Sequence, residues 1–476
     1  MTDLDTIRRA VNGVLMPGFN GTTVPDWLAN TEGLASVLLF GHNTPDAAVT
    51  AAVTAELNAI IPGVIIAADE EGGDVTRIQA ATGSLLPGAC ALGAVGETEL
   101  TGAAGRSLGD LLRAVGVDLA ISPVIDVASR DDNPVIGVRS FGADPAAVGA
   151  HGVAFARGIQ AAGVAACAKH FPGHGDTGTD SHVDLPILEV TPDLLRERDL
   201  APFQQAFDAG VETIMVGHLR VAGYGDTPAS LNGELIGLAR AMGFTGVVIS
   251  DALDMGALAV DPGFEEACVQ AVLAGSDLLC LGNTAKRDDE EMYHLAAGAL
   301  IGAVQDGRLT LDRLAESAAR VTALRDRILG LRRTRAAVPT IERANAAMAQ
   351  VGRDVATRAL ALPQSVRGRV AVQPGGLLAD LRHTVDFAAG NSAARLPGIL
   401  ADRLGLTLTR DPEAVPALVV TRAPNPAVAE LLTAHPEIVV VHTGVPGSAP
   451  REARNLVQAY GGGVANAEAA AAVCKP

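Results

Sequence analysis

Aromatic side chains are scarce in this chain, with one tryptophan, three tyrosines and ten phenylalanines among 476 residues. Ring faces are the usual platforms of a long, open binding groove, so their scarcity favours a small pocket. Basic clusters are nearly absent as well. Positive charge concentrates only at "LRRTR" (331–335), and the formal net charge is −18, which argues against nucleic acid and anionic membranes as partners. The five cysteines (Cys90, Cys167, Cys268, Cys280, Cys474) show no CxxC spacing and read as buried small hydrophobes in a reducing compartment. No apolar run approaches the roughly 20 residues that a membrane span needs. The start, "MTDLDTIRRAVNGVLMPGF", reads as neither a signal peptide nor a lipoprotein leader. A cytoplasmic protein is expected.

What is plentiful is apolar sequence, at 48% of residues against 19% charged, enough for a large buried core. Short apolar runs followed by turn residues recur along the first two thirds. They are "GVLM" (13–16), "SVLLF" (36–40), "GVIIAAD" (63–69), "VDLAISPV" (117–124), "GVAACAK" (163–169), "TIMVGH" (213–218), "GVVISD" (246–251) and "DLLCLG" (277–282). Helical periodicity ending at glycine lies between them, as in "DPAAVGAHGVAFARGIQAAG" (144–163). Eight buried strands alternating with helices predict an α/β fold with a parallel sheet, closed as a (β/α)8 TIM-type barrel over 1–335. An open doubly wound sheet is the competing arrangement. A basic, Pro-containing stretch then predicts a linker over 336–366. The runs "HTVDFAAG" (383–390), "ALVVTRA" (417–423) and "EIVVVHTG" (437–444) predict a smaller α/β sandwich over 367–476. The Ala-rich end, "ANAEAAAAVC", reads as a terminal helix or a frayed tail.

In such a barrel, chemistry sits where strands run into βα loops. Polar residues occupy those positions on successive strands: Asp69, Asp126, Lys169 with His170, His218, Asp251 and Asn283. Taken singly, Asp251 could be a helix cap, and Asp126 and His218 read better as buried, hydrogen-bonded structural groups. The loop after the fifth strand, "AKHFPGHGDTGTDSHVDLP" (168–186), holds three histidines and three aspartates among glycines. A metal cage would require a single Gly-rich loop to be frozen by the ion, and no phosphate-binding GxxxxGK[ST] is present. No metal and no cofactor is therefore expected. In "DSH" the residues at i and i+2 share a side of an extended segment, so Asp180 can orient the imidazole of His182 for proton transfer near neutral pH. Asp251 would face that acid as a carboxylate partner, the layout of retaining glycoside hydrolysis with histidine in place of one carboxyl group.

The segments "ADEEGG", "SPVIDV", "NPVIGVRSFG", "KHFPGHGDTGTDSHVDLP" and "VVISDALDM", in that order, resemble the bacterial β-N-acetylglucosaminidases of glycoside hydrolase family 3. The resemblance covers residues 13 to about 335, and "KHFPGH" followed by "DSH" is its most specific part. It implies Asp251 as nucleophile, His182 as general acid/base and Asp180 as its dyad partner. It further implies that Asp69, Arg139, Lys169 and His170 grip a terminal GlcNAc, with Arg77 supporting them. Two departures stand out: Asp74 where the family commonly has arginine, and Glu70 where it commonly has glutamine. Both are expected to make the mouth of the site more acidic. His174, Asp176 and Asp184 are left as loop architecture.

The expected activity is exo-acting, metal-independent release of GlcNAc from peptidoglycan fragments or chitooligosaccharides through a covalent glycosyl-aspartate. A neutral imidazole base repels an incoming anion less than a carboxylate does, so a phosphorylase using inorganic phosphate is an alternative. A dual β-glucosidase/β-N-acetylglucosaminidase is another, and a non-catalytic sugar-binding protein is the reading from a different class.

Overall fold

The computed structural model describes residues 4–181, 185–258, 261–284, 287–334, 337–382, 395–411 and 414–476. Ten strands occupy the first two thirds of these residues. They are β1 (Leu15–Met16), β2 (Ser36–Leu39), β3 (Ile65–Ala68), β4 (Leu119–Ala120), β5 (Ala165–Phe171), β6 (Ile187–Leu188), β7 (Thr213–Val216), β8 (Arg220–Val221), β9 (Val247–Ser250) and β10 (Leu279–Cys280). Each of the eight apolar runs anticipated from the sequence overlaps one of them, and β5 runs two residues beyond "GVAACAK". The short pair β6 and β8 forms a separate parallel ribbon.

The eight main strands make a curled parallel sheet. β2, β3, β4, β5, β7 and β9 pair in that order, β9 meets β10 through the parallel bridge Ile249–Leu278, and β10 pairs with β1. The Leu38 N–H on β2 then donates to the Pro17 carbonyl just after β1, at 3.0 Å. Alternation along each strand sorts side chains to opposite faces. Ile65 and Ala67 join a cluster that also holds Met16, Leu38, Leu119, Cys167, Met215, Ile249 and Cys280, so all eight strands contribute to it. Ile66 and Ala68 face the larger cluster beneath the helices. Burial on both faces is why these strands read as uninterrupted apolar runs. The helices between them carry conventional punctuation. Asp144 caps Pro145–Ala162 by accepting from the Ala147 N–H, and Gly163 ends that helix in the left-handed conformation.

The helix Leu311–Thr334 closes the amino-terminal end of this sheet. Its Val321, Leu324 and Ile328 complete the cluster shared by the eight strands. Its arginines meet three buried carboxylates at strand starts: Arg332 to Asp118 at 2.5 Å, Arg327 to Glu212 at 3.2 Å, and Arg320 to Asp277 at 2.9 Å. Each carboxylate also accepts a backbone N–H from a neighbouring strand: Ile66 to Asp118, Ala166 to Glu212 and Val248 to Asp277. Donors with no strand partner at the sheet's edge are satisfied in this way.

The segment 336–366, expected to be a linker, contains the helix Ile341–Ala361. Ala344, Met348, Val355 and Ala359 of that helix join the first core, and Leu360 joins the second. The second sheet comprises β11 (Val366–Arg367), β12 (Leu377–Asp380), β13 (Thr407–Thr409), β14 (Leu418–Thr421), β15 (Val439–His442) and β16 (Asn455–Gln458). Its order is β11-β16-β15-β14-β12-β13, parallel except for β11. Helices Leu396–Leu404 and Val464–Cys474 cover one face and Pro426–Ala434 the other. The Ala-rich end is thus a packed helix. The strand expected over 383–390 lies outside the described residues.

Burial raises the Glu212 carboxyl from 4.5 to about 7, against the pull of Arg327. A group that holds its proton more tightly when folded stabilises the fold fully below its unfolded pKa of 4.5, and this is lost as pH rises through about 7. Glu212→Gln keeps the acceptor for Ala166 and removes the titration. It is expected to flatten the fall in Tm between about pH 5 and pH 8. Parallel Tm curves for variant and wild type would count against this account.

Candidate active site

The loops at the carboxyl ends of β3, β4 and β5 meet in one buried ionic network. Lys169, near the end of β5, places Nζ 2.5 Å from Asp69 Oδ1 and 2.7 Å from Glu71 Oε1. Arg139 ends the single turn Gly137–Arg139. It grips Glu71 with two parallel hydrogen bonds, Nε at 2.9 Å and Nη2 at 2.8 Å, the planar fork that suits a carboxylate. Arg77 Nη2 lies 3.5 Å from Asp69 Oδ2. Burial opposes the charge on Glu71, but Arg139 and Lys169 outweigh it and hold the carboxyl well below the usual range. Burial likewise opposes ionisation of Asp69, and Lys169 and Arg77 reverse the balance. Lys169 is itself pushed up, since Asp69 and Glu71 outweigh its desolvation.

Exposure separates these groups. The side chain of Asp69 is 27% open, while Lys169 is 2%, Arg139 5% and Glu71 7% open. Asp69 is therefore the most exposed group of the network; Lys169 binds it directly, and Glu71 joins Lys169 to Arg139.

His170 continues the network. Its Nδ1 lies 2.7 Å from Asp126 Oδ2 and its Nε2 3.4 Å from Arg139 Nη2, so an Nδ1–H tautomer satisfies both contacts. The wholly buried Asp126 also accepts the backbone N–H groups of His170 and His174, the structural role expected of it. His218 is buried too, between the Ser230 hydroxyl at 2.7 Å and the Ala252 carbonyl at 2.9 Å. It thereby fixes the backbone next to Asp251.

The Gly-rich loop after β5 is tied down along its first half. A Cβ on Gly175 would lie 1.9 Å from the Val127 carbonyl oxygen, so only glycine fits there. Asp176 pairs with Arg198 at 2.8 Å. His174 bonds Thr177 at 2.6 Å and Ser181 at 3.2 Å, and burial with neighbouring His170 lowers it to about 4. These are architectural roles, as expected for both residues. Asp180 is half-buried near the end of the described stretch, and His182 and Asp184 lie outside the described residues. The Ser181 carbonyl accepts the Ala257 N–H at 3.3 Å, which joins this loop to the one that carries Asp251. Asp251 follows β9 directly, half-buried, and its Oδ1 accepts the Ala252 N–H at 2.8 Å. Among the described residues no group of His, Cys, Asp and Glu is arranged to hold a metal ion.

The expected acidic mouth is not what Glu70 and Asp74 form. Both are buried, at 1% and 3% exposure. Glu70 Oε2 turns inward to accept the backbone N–H groups of Arg77 and Ile78 at 2.7 and 2.9 Å. Asp74 is covered by Arg422 and Gly462 of the second unit. A sequence position next to a site says nothing about which way a turn faces. Glu71, the hub of the network, is hidden in the sequence because "EEGGD" resembles a plain turn. Its i+2 spacing from Asp69, which puts both on one side of an extended segment, is the signal that could have found it.

Residues 6–324 match the family model of the glycosyl hydrolase family 3 N-terminal domain. A β-N-acetylglucosaminidase/β-glucosidase of Cellulomonas fimi is 33% identical over 330 residues, covering 66% of this chain and 56% of that protein. The chain thus spans little more than half the length of that relative. A β-hexosaminidase of Thiobacillus denitrificans is 36% identical over 271 residues, covering 55% of this chain and 75% of that protein. Among solved structures, a glycoside hydrolase family 3 β-N-acetylglucosaminidase from Paenibacillus superposes with a TM-score of 0.85 at 29% identity, covering 98% of this chain and 96% of that one.

Glu71→Ala would leave Lys169 and Arg139 buried around a lost charge. A loss of about 3–5 kcal/mol in unfolding free energy is expected, read by urea denaturation. A change within about 1 kcal/mol would show that the network is not held by charge.

Proposed function

The chain belongs to glycosyl hydrolase family 3, and from that membership we propose that it is an exo-acting, retaining β-N-acetylglucosaminidase acting on terminal GlcNAc of peptidoglycan fragments or chitooligosaccharides. One observation carries the reading. Asp251 and the Asp69–Lys169–Glu71–Arg139 network stand at the carboxyl ends of strands of one parallel sheet, β9 being separated from β5 by β7, with the Asp180 loop bonded to the Asp251 loop through Ser181 and Ala257. The names of the Cellulomonas, Thiobacillus and Paenibacillus proteins support the sugar.

In this mechanism Asp69, backed by Lys169 and Arg77, accepts hydroxyl hydrogen bonds from the sugar, and Arg139 and His170 orient the same ring. Asp251 attacks the anomeric carbon while His182 gives its proton to the departing glycosidic oxygen, and a glycosyl-aspartate forms. His182 then takes a proton from water, which attacks the same carbon, releases GlcNAc with retained configuration and frees Asp251. Asp180 stabilises the imidazolium form of His182. In the same reading the curled sheet of residues 1–335 is a closed (β/α)8 barrel, supported by the cluster shared by eight strands and by the β10–β1 pairing. Residues 367–476 then form an α/β sandwich.

Asp251→Ala is expected to reduce turnover of chromogenic GlcNAc glycosides to background with the fold intact. The product released first by the wild type should be the β-anomer by NMR. Prompt release of the α-anomer would overturn the covalent route. His182→Ala should slow substrates with poor leaving groups about 100-fold or more while sparing activated aryl glycosides; equal losses on both would remove His182 as the acid. Glucose substrates and added inorganic phosphate in the same assay test the β-glucosidase and phosphorylase alternatives.

A further inference from the structure

The departure at Asp74 finds its partner in the second unit. The segment 69–88 that carries Asp69, Glu71 and Arg77 folds back tightly. The Glu71 N–H donates to the Val75 carbonyl at 3.0 Å and the Gly73 N–H to Leu86 at 2.9 Å. Gly73 has φ +62°, and a Cβ there would lie 2.5 Å from the Gly88 backbone. Asp74, at the tip, is 3% exposed. Its Oδ2 meets the Arg422 guanidinium and its Oδ1 accepts the Gly462 N–H at 2.5 Å. Arg422 directly follows β14, and Gly462 lies four residues after the end of β16, so two carboxyl-end loops of the second sheet reach one carboxylate. The same segment is braced from behind. The Val464 N–H donates to Ser84 at 3.0 Å, Gln79 bonds Asn345 at 3.1 Å, and Gly352 leaves no room for a Cβ against the Leu85 carbonyl.

We propose that Arg422 is a positioning residue for sugar binding, acting through Asp74 on the segment that presents Asp69, Glu71 and Arg77. The second unit is then a working part of the sugar-gripping apparatus. The proposal rests on the glycosidase reading for its kinetic consequence, and its structural consequence can be measured without any sugar. Removing the guanidinium takes one ion pair from the buried Asp74, so the tip loosens while Asp251 and the Asp180 loop stay in place.

The test compares Arg422→Met, Arg422→Lys and Leu432→Ala in the full chain. Leu432 lies in the second unit's own core with Val428 and Val440, so its truncation controls for simple destabilisation. Arg422→Met is expected to raise KM for a GlcNAc glycoside about tenfold with kcat within about twofold, the pattern of lost ground-state binding. Arg422→Lys should restore most of that loss. Amide exchange over residues 69–78 should quicken in Arg422→Met and not in Leu432→Ala. Unchanged exchange, or equal KM shifts in Arg422→Met and Leu432→Ala, would overturn the proposal. A wild type that neither binds nor cleaves GlcNAc glycosides, with exchange still quickened in Arg422→Met, would overturn the substrate reading and leave the positioning role standing.

Discussion

Lys169 and Arg139 reach the same carboxylate, Glu71, from β5 and from the loop after β4, while Glu71 itself comes from the loop after β3. Two buried cations cannot lie this close in a low-dielectric setting without an anion between them. The shared carboxylate is thus the condition for bringing three successive strand ends together. Asp69 and Arg77 extend the network toward solvent, and His170 links it through Arg139 to the buried Asp126. Each charged group is paired, and Asp69 is the most exposed of them.

The opposite end of the sheet solves a similar problem for a different purpose. Asp118, Glu212 and Asp277 each take a strand-edge N–H and an arginine from the helix Leu311–Thr334. These carboxylates face a covering helix, and their ion pairs tie that helix to the strand starts. One sheet therefore carries buried ions at both ends, bound to a covering helix at one and meeting across the loops after β3 and β4 and the end of β5 at the other.

Legibility in the sequence follows burial. Parallel strands covered on both faces have to be apolar throughout, so "GVIIAAD" and "GVVISD" stand out as strands from their residues alone. Asp69, Lys169 and His170 stand out because they are polar residues at the ends of such apolar runs, as Asp126 and His218 also do, whereas Arg139 is picked out only by the family resemblance of "NPVIGVRSFG". Glu71 is not legible, and Glu70 and Asp74 mislead, for one reason: the four residues of "EEGG" turn through two glycines with positive φ, and periodicity stops being informative there. The second sheet is only partly readable. Its β12 and β13 lie at one end of the sheet, and partial burial breaks the apolar pattern of "LLAD" and "TLT".

The sequence alone determined the eight apolar strands of the first unit in their order, the residue types at their ends and the motif "KHFPGHGDTGTDSH", because these depend on local periodicity and on chemistry carried by single segments. Only the tertiary structure decided which charges meet. Glu71 lies between Lys169 and Arg139, nearly 100 and nearly 70 residues away, and Asp74 is matched by Arg422, 348 residues along the chain. Pairings at such separations are set by how sheets curl and units dock, and no local pattern encodes them.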